Sequence, residues 1–185
     1  MSKIVLIGGS PSVSSRSSIV LDHVADHITD AGHEVDRIEV RDITSDALIH
    51  ADFGHPDLVD AAKTLASADA VVIATPVYKA SYSGVLKTFL DLQARDALRN
   101  KPILPIATGG TIAHLLAIDY ALRPVLYALC ADKVLAGRFI IDKDVSNIGP
   151  ERGITDEDAV GALNRQVNEL LATVKAEDTE LLRVH

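Results

Sequence analysis

The sequence has one cysteine and no tryptophan among its 185 residues. A single cysteine cannot form an intrachain disulfide, and it cannot supply the cysteine set of a structural zinc site. A disulfide framework and a zinc–cysteine cluster are therefore both excluded. The cysteine itself, Cys130, lies in an apolar helical pattern, which predicts a thiol in the core.

Long apolar runs are also absent. No run reaches the 18 apolar residues that a membrane span requires, so we expect no membrane association. The apolar part of the opening stretch MSKIVLIGGSP is too short for the core of a secretory signal. We therefore expect the protein to be located in the cytoplasm.

Positive charge is in deficit. The 26 acidic residues outnumber 18 lysines and arginines, which gives a net charge of −8. Binding of a phosphate backbone requires a basic surface, so this balance argues against nucleic acid as the main partner.

Apolar residues are abundant, at 48 % of the chain. This content, over 185 residues, predicts a single folded domain spanning 1–185 with a sizeable core.

Short apolar runs alternate with helical patterns along the chain. Strands are predicted at 3–8, 33–40, 70–75, 102–108 and 133–141. Helices are predicted at 16–31, 56–67, 84–98 and 112–129, and a last helix begins at a capping box, Thr155-Asp156-Glu157-Asp158. This alternation indicates a parallel sheet covered by helices on both faces.

Three predicted strands are followed by loops that are rich in Ser, Thr, Gly and Tyr. The loops are GGSPSVSSRSS (8–18), PVYKASYSG (76–84) and TGGT (108–111). In such a sheet, ligands bind outside the carboxyl ends of the strands, where these loops would meet. We refer to them as the first, second and third rim loops.

The first rim loop carries several hydroxyls and Arg16 into the start of a helix. The N–H groups and the positive dipole end of a helix start attract phosphate. The glycine spacing fits neither a Walker loop nor a dinucleotide fingerprint, so the acids Glu39 and Asp42 weigh little as ribose ligands. A monophosphate fits better, and a serine-rich turn with a simple helix cap is the alternative.

The second rim loop combines aromatic and polar side chains. Val77, Tyr78 and Tyr82 can form the walls of a site for a planar ring, while Lys79, Ser81 and Ser83 can reach its polar edges. The glycines of the third rim loop let the backbone approach the same ligand. The alternative is a surface loop with incidental tyrosines.

Histidines supply the remaining candidates. His23 and His27, spaced i and i+4, can hold a metal, but a solvated helix face is the favoured interpretation. His50 and His55 are interpreted as loop residues, and His114 either borders the site or caps a helix. The rim loops show no nucleophile elbow, carboxylate pair or metal constellation, which is typical of a site where a cofactor does the chemistry.

The helix predicted at 112–129 has two apolar stripes. One comprises Leu115, Ile118, Leu122, Val125 and Leu129, and the other comprises Leu116, Tyr120, Arg123 and Tyr127. A helix that is apolar on most sides is buried on most sides. Because the sheet covers only one side, the second stripe predicts a partner subunit. A deeply buried intramolecular helix is the alternative.

Three stretches carry a family resemblance: GSP-x4-SRSS, ATPVYKASYSGVLKTFLDL and LPIATGGTIAHLLAIDYALRPVL. They closely resemble the flavodoxin-like NAD(P)H-dependent FMN reductases, and most of all the reductase components of two-component alkanesulfonate monooxygenase systems. The resemblance covers about 3–140, and nothing is carried over to the residues after Asp142.

The resemblance implies a flavodoxin-like three-layer α/β sandwich with a five-stranded parallel sheet in the order 2-1-3-4-5. It places the FMN phosphate against Ser10, Ser15, Arg16 and Ser17. It places the isoalloxazine ring against Pro76, Val77, Tyr78 and Lys79, near Ser83, with Thr108, Gly109 and Gly110 at the other edge. Hydride would pass from NADPH or NADH to FMN, without a catalytic side chain or a metal.

The resemblance also implies a homodimer or homotetramer formed through the helices 84–98 and 112–129. Tyr120 matches an inserted tyrosine that distorts the second helix into a π-bulge in the two-component members. A flavin-dependent monooxygenase would then receive the reduced FMN. Two other functions stay open, namely a reductase of quinones, azo compounds or metal ions with FMN permanently bound, and a flavodoxin-type electron carrier.

Overall fold

The computed structural model describes residues 1–181, apart from the side chains of Glu151 and residues 177–181. Its centre is a sheet of five parallel strands: β1 (Lys3–Gly8), β2 (Glu34–Glu39), β3 (Ala70–Tyr78), β5 (Ile103–Gly109) and β6 (Arg138–Ile141). They lie in the order β2-β1-β3-β5-β6. The order expected from the family resemblance is therefore confirmed, as is the parallel arrangement.

Three short strands were not expected. β4 (Ser81–Tyr82) folds back antiparallel on the end of β3, with Val77 opposite Tyr82. β7 (Val145–Ser146) and β8 (Gly153–Ile154) form a separate small hairpin. Both additions lie near the ends of the parallel strands, where the rim loops begin.

Helices cover both faces of the sheet. They are α1 (Arg16–Asp30), α2 (Ser45–Ile49), α3 (Pro56–Ala66), α4 (Gly84–Asp91), α5 (Arg123–Ala128) and α6 (Glu157–Leu181). Side chains alternate across a strand, so Val5 and Ile7 of β1 join the core under α3 and α4, while Ile4 and Leu6 join the core under α1 and α6. Each such side chain, fully buried, contributes about 1.5–3 kcal/mol.

The continuous helix predicted at 112–129 is wrong. The chain instead forms a 3₁₀ turn at Ile112–His114, a π-helix at Ile118–Leu122, and then α5. The π-helix contains Tyr120, as the family resemblance implied. One extra residue in the helical turn breaks the regular phase of the two apolar stripes.

The strand predicted at 133–141 begins only at Arg138, and Val134 makes an isolated bridge to Ile103. Arg123 explains the difference, because its guanidinium donates to the carbonyls of Val134, Leu135 and Ala136 at 2.9–3.2 Å. Those carbonyls are thereby withdrawn from strand pairing. Arg123 also does not belong to an outward-facing stripe.

Other boundaries shift by smaller amounts. The helix predicted at 84–98 ends at Asp91, because the following residues turn and bring Leu98 into the core with no exposed surface. β3 continues to Tyr78, three residues past its predicted end. Asp156 caps the start of α6, and its carboxylate accepts a hydrogen bond from the backbone N–H of Ala159 at 2.7 Å.

The predicted solvated histidine face of α1 is only partly correct. His23 and His27 hydrogen-bond to Asn164 and Asn168 of α6, at 2.8 and 2.9 Å. α6 therefore lies beside this face, where both histidines are half-buried and Asp26 stays exposed. Within residues 1–181, no cluster of three or more metal-ligating side chains occurs.

The structure also tests the predictions for His55 and Cys130. His55 lies in a loop, as predicted, and it is also the N-cap of α3, with Nδ1 accepting from the N–H of Asp57 at 3.3 Å. Cys130 is only half-buried and has a φ of 61°, so it is a turn residue and not a core thiol. None of the helices described is long and apolar enough to cross a bilayer.

Candidate functional site

The first and second rim loops are tied together by buried hydrogen bonds. The N–H of Gly9 donates to the carbonyl of Ala74 at 2.8 Å. The hydroxyl of Ser83 donates to the carbonyl of Gly9, and the N–H of Ser83 donates to Oγ1 of Thr75 at 3.0 Å. Ser83 has no exposed surface and also caps α4. It therefore holds the two loops in register rather than facing the rim.

The first rim loop ends in the N-cap of α1. Oγ of Ser15 accepts from the N–H of Ser18 at 3.1 Å, and it lies 3.1 Å from Oγ of Ser17 and 2.9 Å from Oγ of Ser18. Ser10 is fully buried, and its Oγ accepts from the N–H of Ser12 at 3.1 Å. This helix start has the N–H groups and the dipole that attract an anion.

The predicted phosphate ligands differ in how accessible they are. Ser10 and Ser17 are buried, at 0 % and 1 % exposure, so their side chains shape the loop from within. Ser15 and Arg16 are half-buried, so part of each side chain reaches the surface. Ser15 and Arg16 are therefore the better placed of the four for direct contact with a phosphate.

Arg16 also contacts the segment after Asp142, to which no expectation was carried over. Its Nε donates to the carbonyl of Val145 in β7 at 3.2 Å, and Nδ2 of Asn147 lies 3.5 Å from the carbonyl of Ser14. The β7–β8 hairpin thus packs against the first rim loop. It helps to fix Arg16 at the start of α1.

The second rim loop is a hairpin between β3 and β4. Its two turn residues, Lys79 and Ala80, have φ angles of 50° and 64°. Two consecutive positive φ angles are the pattern of a type I′ turn, which normally uses Asn and Gly. Each non-glycine residue in this region costs roughly 1–2 kcal/mol. The structure offsets this strain with a hydrogen bond from Oη of Tyr120 to the carbonyl of Ala80.

The hairpin presents a mixed surface at the rim. Tyr78 is 48 % exposed and Lys79 is exposed, whereas Val77 is half-buried and Pro76 is buried. Tyr82 packs inward above an apolar crevice shared with Ile118 of the π-helix. Burial raises the pKa of the Tyr82 phenol, and the negative charge of Asp91 raises it further. The phenol therefore stays neutral around neutral pH.

The third rim loop brings backbone close to the hairpin. A Cβ added to Gly109 would lie 3.0 Å from Cζ of Phe139 and 3.4 Å from Cβ of Val77. Only glycine fits this approach without displacing a neighbour. Thr108 is buried, at 2 % exposure, whereas Gly110 is exposed. Val77 and Gly109 thus form one surface beside the hairpin. His114 is half-buried in the 3₁₀ turn that follows the loop, and its backbone N–H donates to the carbonyl of Thr111 at 3.3 Å.

Arg41 also contacts the first rim loop, although no motif around it in the sequence predicts this contact. Its Nη1 lies 3.1 Å from Oγ of Ser18, 3.3 Å from the carbonyl of Ser12 and 2.8 Å from Oε2 of Glu39. The carboxylate of Glu39 lies against Gly8, where a Cβ would overlap it. Glu39 is therefore an anchor for arginines rather than a ribose ligand.

The fold and the site together define a class. An α/β sandwich in this strand order, with a serine-rich helix start beside a tyrosine-bearing hairpin, is a flavodoxin-like protein. Residues 2–146 match the family model described as NADPH-dependent FMN reductase. The chain belongs to that family, whose members are oxidoreductases that use FMN and a reduced nicotinamide.

Individual relatives agree with this assignment. An FMN reductase (NADPH) from Pseudomonas putida KT2440 is 45 % identical over 170 residues, which cover 92 % of this chain and 85 % of the relative. The apo structure of the NADH:FMN oxidoreductase EmoB superposes with a TM-score of 0.85 at 34 % identity, covering 94 % and 90 % of the two chains.

A more distant structure shares the fold alone. A flavodoxin from Streptococcus pneumoniae TIGR4 has a TM-score of 0.62 at 18 % identity, with 92 % of this chain and 97 % of the flavodoxin covered.

Proposed function

We propose that the protein binds FMN at the rim loops as an exchangeable substrate and reduces it with NADPH or NADH. The observation that carries the proposal is the pairing of an anion site at Ser15 with an open shelf at Tyr78. FMN has both a phosphate and a planar ring, and it supplies the atom that accepts the hydride. The residues of the protein bind it and orient it.

We propose that the residues named by the family resemblance divide, according to their exposure, into ligand contacts and supports of those contacts. The start of α1, with Ser15 and Arg16, would hold the phosphate, while Ser10 and Ser17 support the loop from beneath. Val77, Tyr78 and Lys79 would line one side of the ring. Pro76, Ser83, Thr108, Gly109 and Gly110 would set the position of that lining.

The openness of the shelf favours exchange of the flavin. Tyr78 and Lys79 are exposed on one side of the proposed ring site, so the ring would be only partly covered. Partial cover leaves room for a nicotinamide to stack, and reaction then depends on positioning the two rings. It also lets the reduced flavin leave for a partner, which we propose is a flavin-dependent monooxygenase in the cytoplasm.

A steady-state assay tests this function directly. Purified protein should be nearly colourless and should oxidise NADPH or NADH only when FMN is added, with a rate that saturates in FMN. A yellow preparation that reduces a quinone or an azo dye without added flavin would support a bound-flavin reductase instead. A yellow protein that oxidises neither nucleotide would support an electron carrier.

We further propose that the protein assembles through the region around the π-helix. Large apolar side chains are exposed there: Ile112 at 53 %, Leu115 at 42 %, Leu116 at 56 %, Tyr120 at 57 % and Tyr127 at 52 %. All five residues lie within 112–127, and large exposed apolar patches mark interaction sites. A second copy of the chain is the partner we propose, in a homodimer or homotetramer.

A further inference from the structure

We propose that Arg41 is a positioning residue that fixes the direction of a chain of serine hydroxyls, so that Ser15 offers its proton to the phosphate of the flavin. The inference rests on the proposed FMN site. It assigns a role to a side chain that need not touch the ligand.

The chain begins at the guanidinium, which can only donate hydrogen bonds. Nη1 of Arg41 lies 3.1 Å from Oγ of Ser18, so this hydroxyl must accept. Arg41 forms an ion pair with Glu39, whose Oε2 lies 2.8 Å away, and its Nη1 also donates to the carbonyl of Ser12 at 3.3 Å. With 15 % of its side chain exposed, Arg41 is shielded enough for this geometry to persist.

The next step follows from what remains for Ser18. A hydroxyl has one proton to donate, and Oγ of Ser15 lies 2.9 Å from Oγ of Ser18. Because Ser18 accepts from Arg41, we assign its proton to Ser15. Ser18 is buried, at 3 % exposure, so water does not compete for this proton.

The orientation of Ser15 is then determined. Its Oγ accepts from the N–H of Ser18 at 3.1 Å and from the hydroxyl of Ser18, which uses both lone pairs. The proton of Ser15 is left to donate, either to Oγ of Ser17 at 3.1 Å or to an anion at the rim. Without Arg41, Ser18 could instead donate to another acceptor, and Ser15 would be free to turn a lone pair toward the anion.

Binding measurements on single variants separate this role from simple charge. FMN and riboflavin differ in the phosphate, so the ratio of their dissociation constants reports on the phosphate site. Arg41→Met and Ser18→Ala should each weaken FMN by about three- to tenfold, as expected for one hydrogen bond, and leave riboflavin unchanged. Arg37→Met is the matched control, because Arg37 also pairs with Glu39, at 2.5 Å, but bonds Asp22 rather than the first rim loop.

The double variant decides between a hydroxyl chain and attraction through space. If Arg41 acts through Ser18, then Arg41→Met with Ser18→Ala should lose no more FMN affinity than either single variant. Arg41→Lys, which keeps the charge but not the fixed geometry, should also weaken FMN. Thermal unfolding of each variant checks that the fold is retained, and Ser18→Cys provides a second, nearly isosteric change.

Two results would overturn the inference in distinguishable ways. If Ser18→Ala leaves FMN binding intact or the two effects add, the hydroxyl chain is wrong while the FMN site stands. If the unmodified protein binds riboflavin as tightly as FMN, the phosphate site of the proposed function fails, and the chain has no anion to orient.

Discussion

Arg16 connects two distant parts of the chain at the proposed phosphate site. Its Nε is engaged by the carbonyl of Val145, and no hydrogen bond of its two Nη groups is seen among the residues described. An arginine anchored through Nε keeps those groups for an anion, and a fixed fork loses little entropy on binding. Arg16 is therefore suited to direct contact, in contrast to Arg41.

We expect Arg16→Ala to weaken FMN by about ten- to hundredfold, because a hydrogen bond to a charged group contributes roughly 1.5–3 kcal/mol. Riboflavin should bind nearly as before. Fluorescence quenching at one fixed salt concentration measures both dissociation constants, since screening changes with salt. Equal losses for the two flavins would mean that Arg16 supports the fold instead.

A substitution at Gly109, beside the proposed ring site, should affect FMN and riboflavin equally, unlike Arg16→Ala. Gly109→Ala would bring a methyl group 3.0 Å from Cζ of Phe139 and 3.4 Å from Cβ of Val77. Relieving such a contact costs about 1–3 kcal/mol and shifts the surface beside the ring. We expect FMN and riboflavin to lose affinity by similar factors.

Gly54→Ala is the control for that measurement, because Gly54 lies outside the rim loops and a Cβ there meets only Oδ1 of Asp52, at an ordinary contact distance of 3.6 Å. It should leave both dissociation constants and the midpoint of thermal unfolding close to those of the unmodified protein. If Gly109→Ala impaired FMN binding alone, the third rim loop would belong to the phosphate site.

At the scale of elements, apolar runs identify the strands that form the centre of the sheet. β1 and β5 start and end within one residue of their predicted bounds, because fully buried parallel strands read as continuous apolar runs. The start of α1 could also be predicted from the sequence, because its N-cap, Ser15, hydrogen-bonds within its own turn.

The hairpin between β3 and β4 could not be predicted from sequence patterns. Lys79 and Ala80 have no preference for positive φ angles, and their turn is held by Tyr120, 40 residues further along the chain. The contact of Arg16 with β7 spans 129 residues. Neither local propensity nor spacing encodes such contacts, and the π-helix itself was expected only through the family resemblance.

The bond between Tyr120 and Ala80 predicts a measurable loss of stability. Tyr120→Phe removes the hydroxyl that offsets the strained turn, so the free energy of unfolding should fall by about 0.5–1.5 kcal/mol. Urea unfolding measures the change. Tyr127→Phe, on a tyrosine that is also about half exposed, at 52 %, should alter stability by less than about 0.5 kcal/mol.

Flavin binding should respond to the same change. If this hydrogen bond, which we call the Tyr120 clamp, holds the hairpin in the shape that receives the ring, Tyr120→Phe should weaken FMN and riboflavin together. An unfolding free energy and two dissociation constants that match the unmodified protein would show that the turn needs no clamp.

At the scale of the whole molecule, the exposed apolar surface and the proposed flavin site are neighbours. Tyr120 contributes to both, because its ring lies in the apolar surface while its hydroxyl holds the turn of the hairpin. Association through this surface would cover the exposed part of Tyr120 and so shield its hydrogen bond to Ala80 from solvent. Assembly and flavin binding should therefore be coupled, with each favouring the other.

Leu116, 56 % exposed in the middle of this surface, is the residue with which to test assembly. We expect the unmodified protein to sediment as a dimer or tetramer at micromolar concentration in analytical ultracentrifugation. Leu116→Glu should shift it to a smaller species, because a buried unpaired carboxylate opposes association. Ile49→Glu is the matched control, since Ile49 is 70 % exposed at the end of α2 and should leave the assembly intact. A monomeric unmodified protein, or equal effects of the two substitutions, would contradict an interface at the π-helix. If FMN affinity also falls in Leu116→Glu but not in Ile49→Glu, then the interface supports the flavin site.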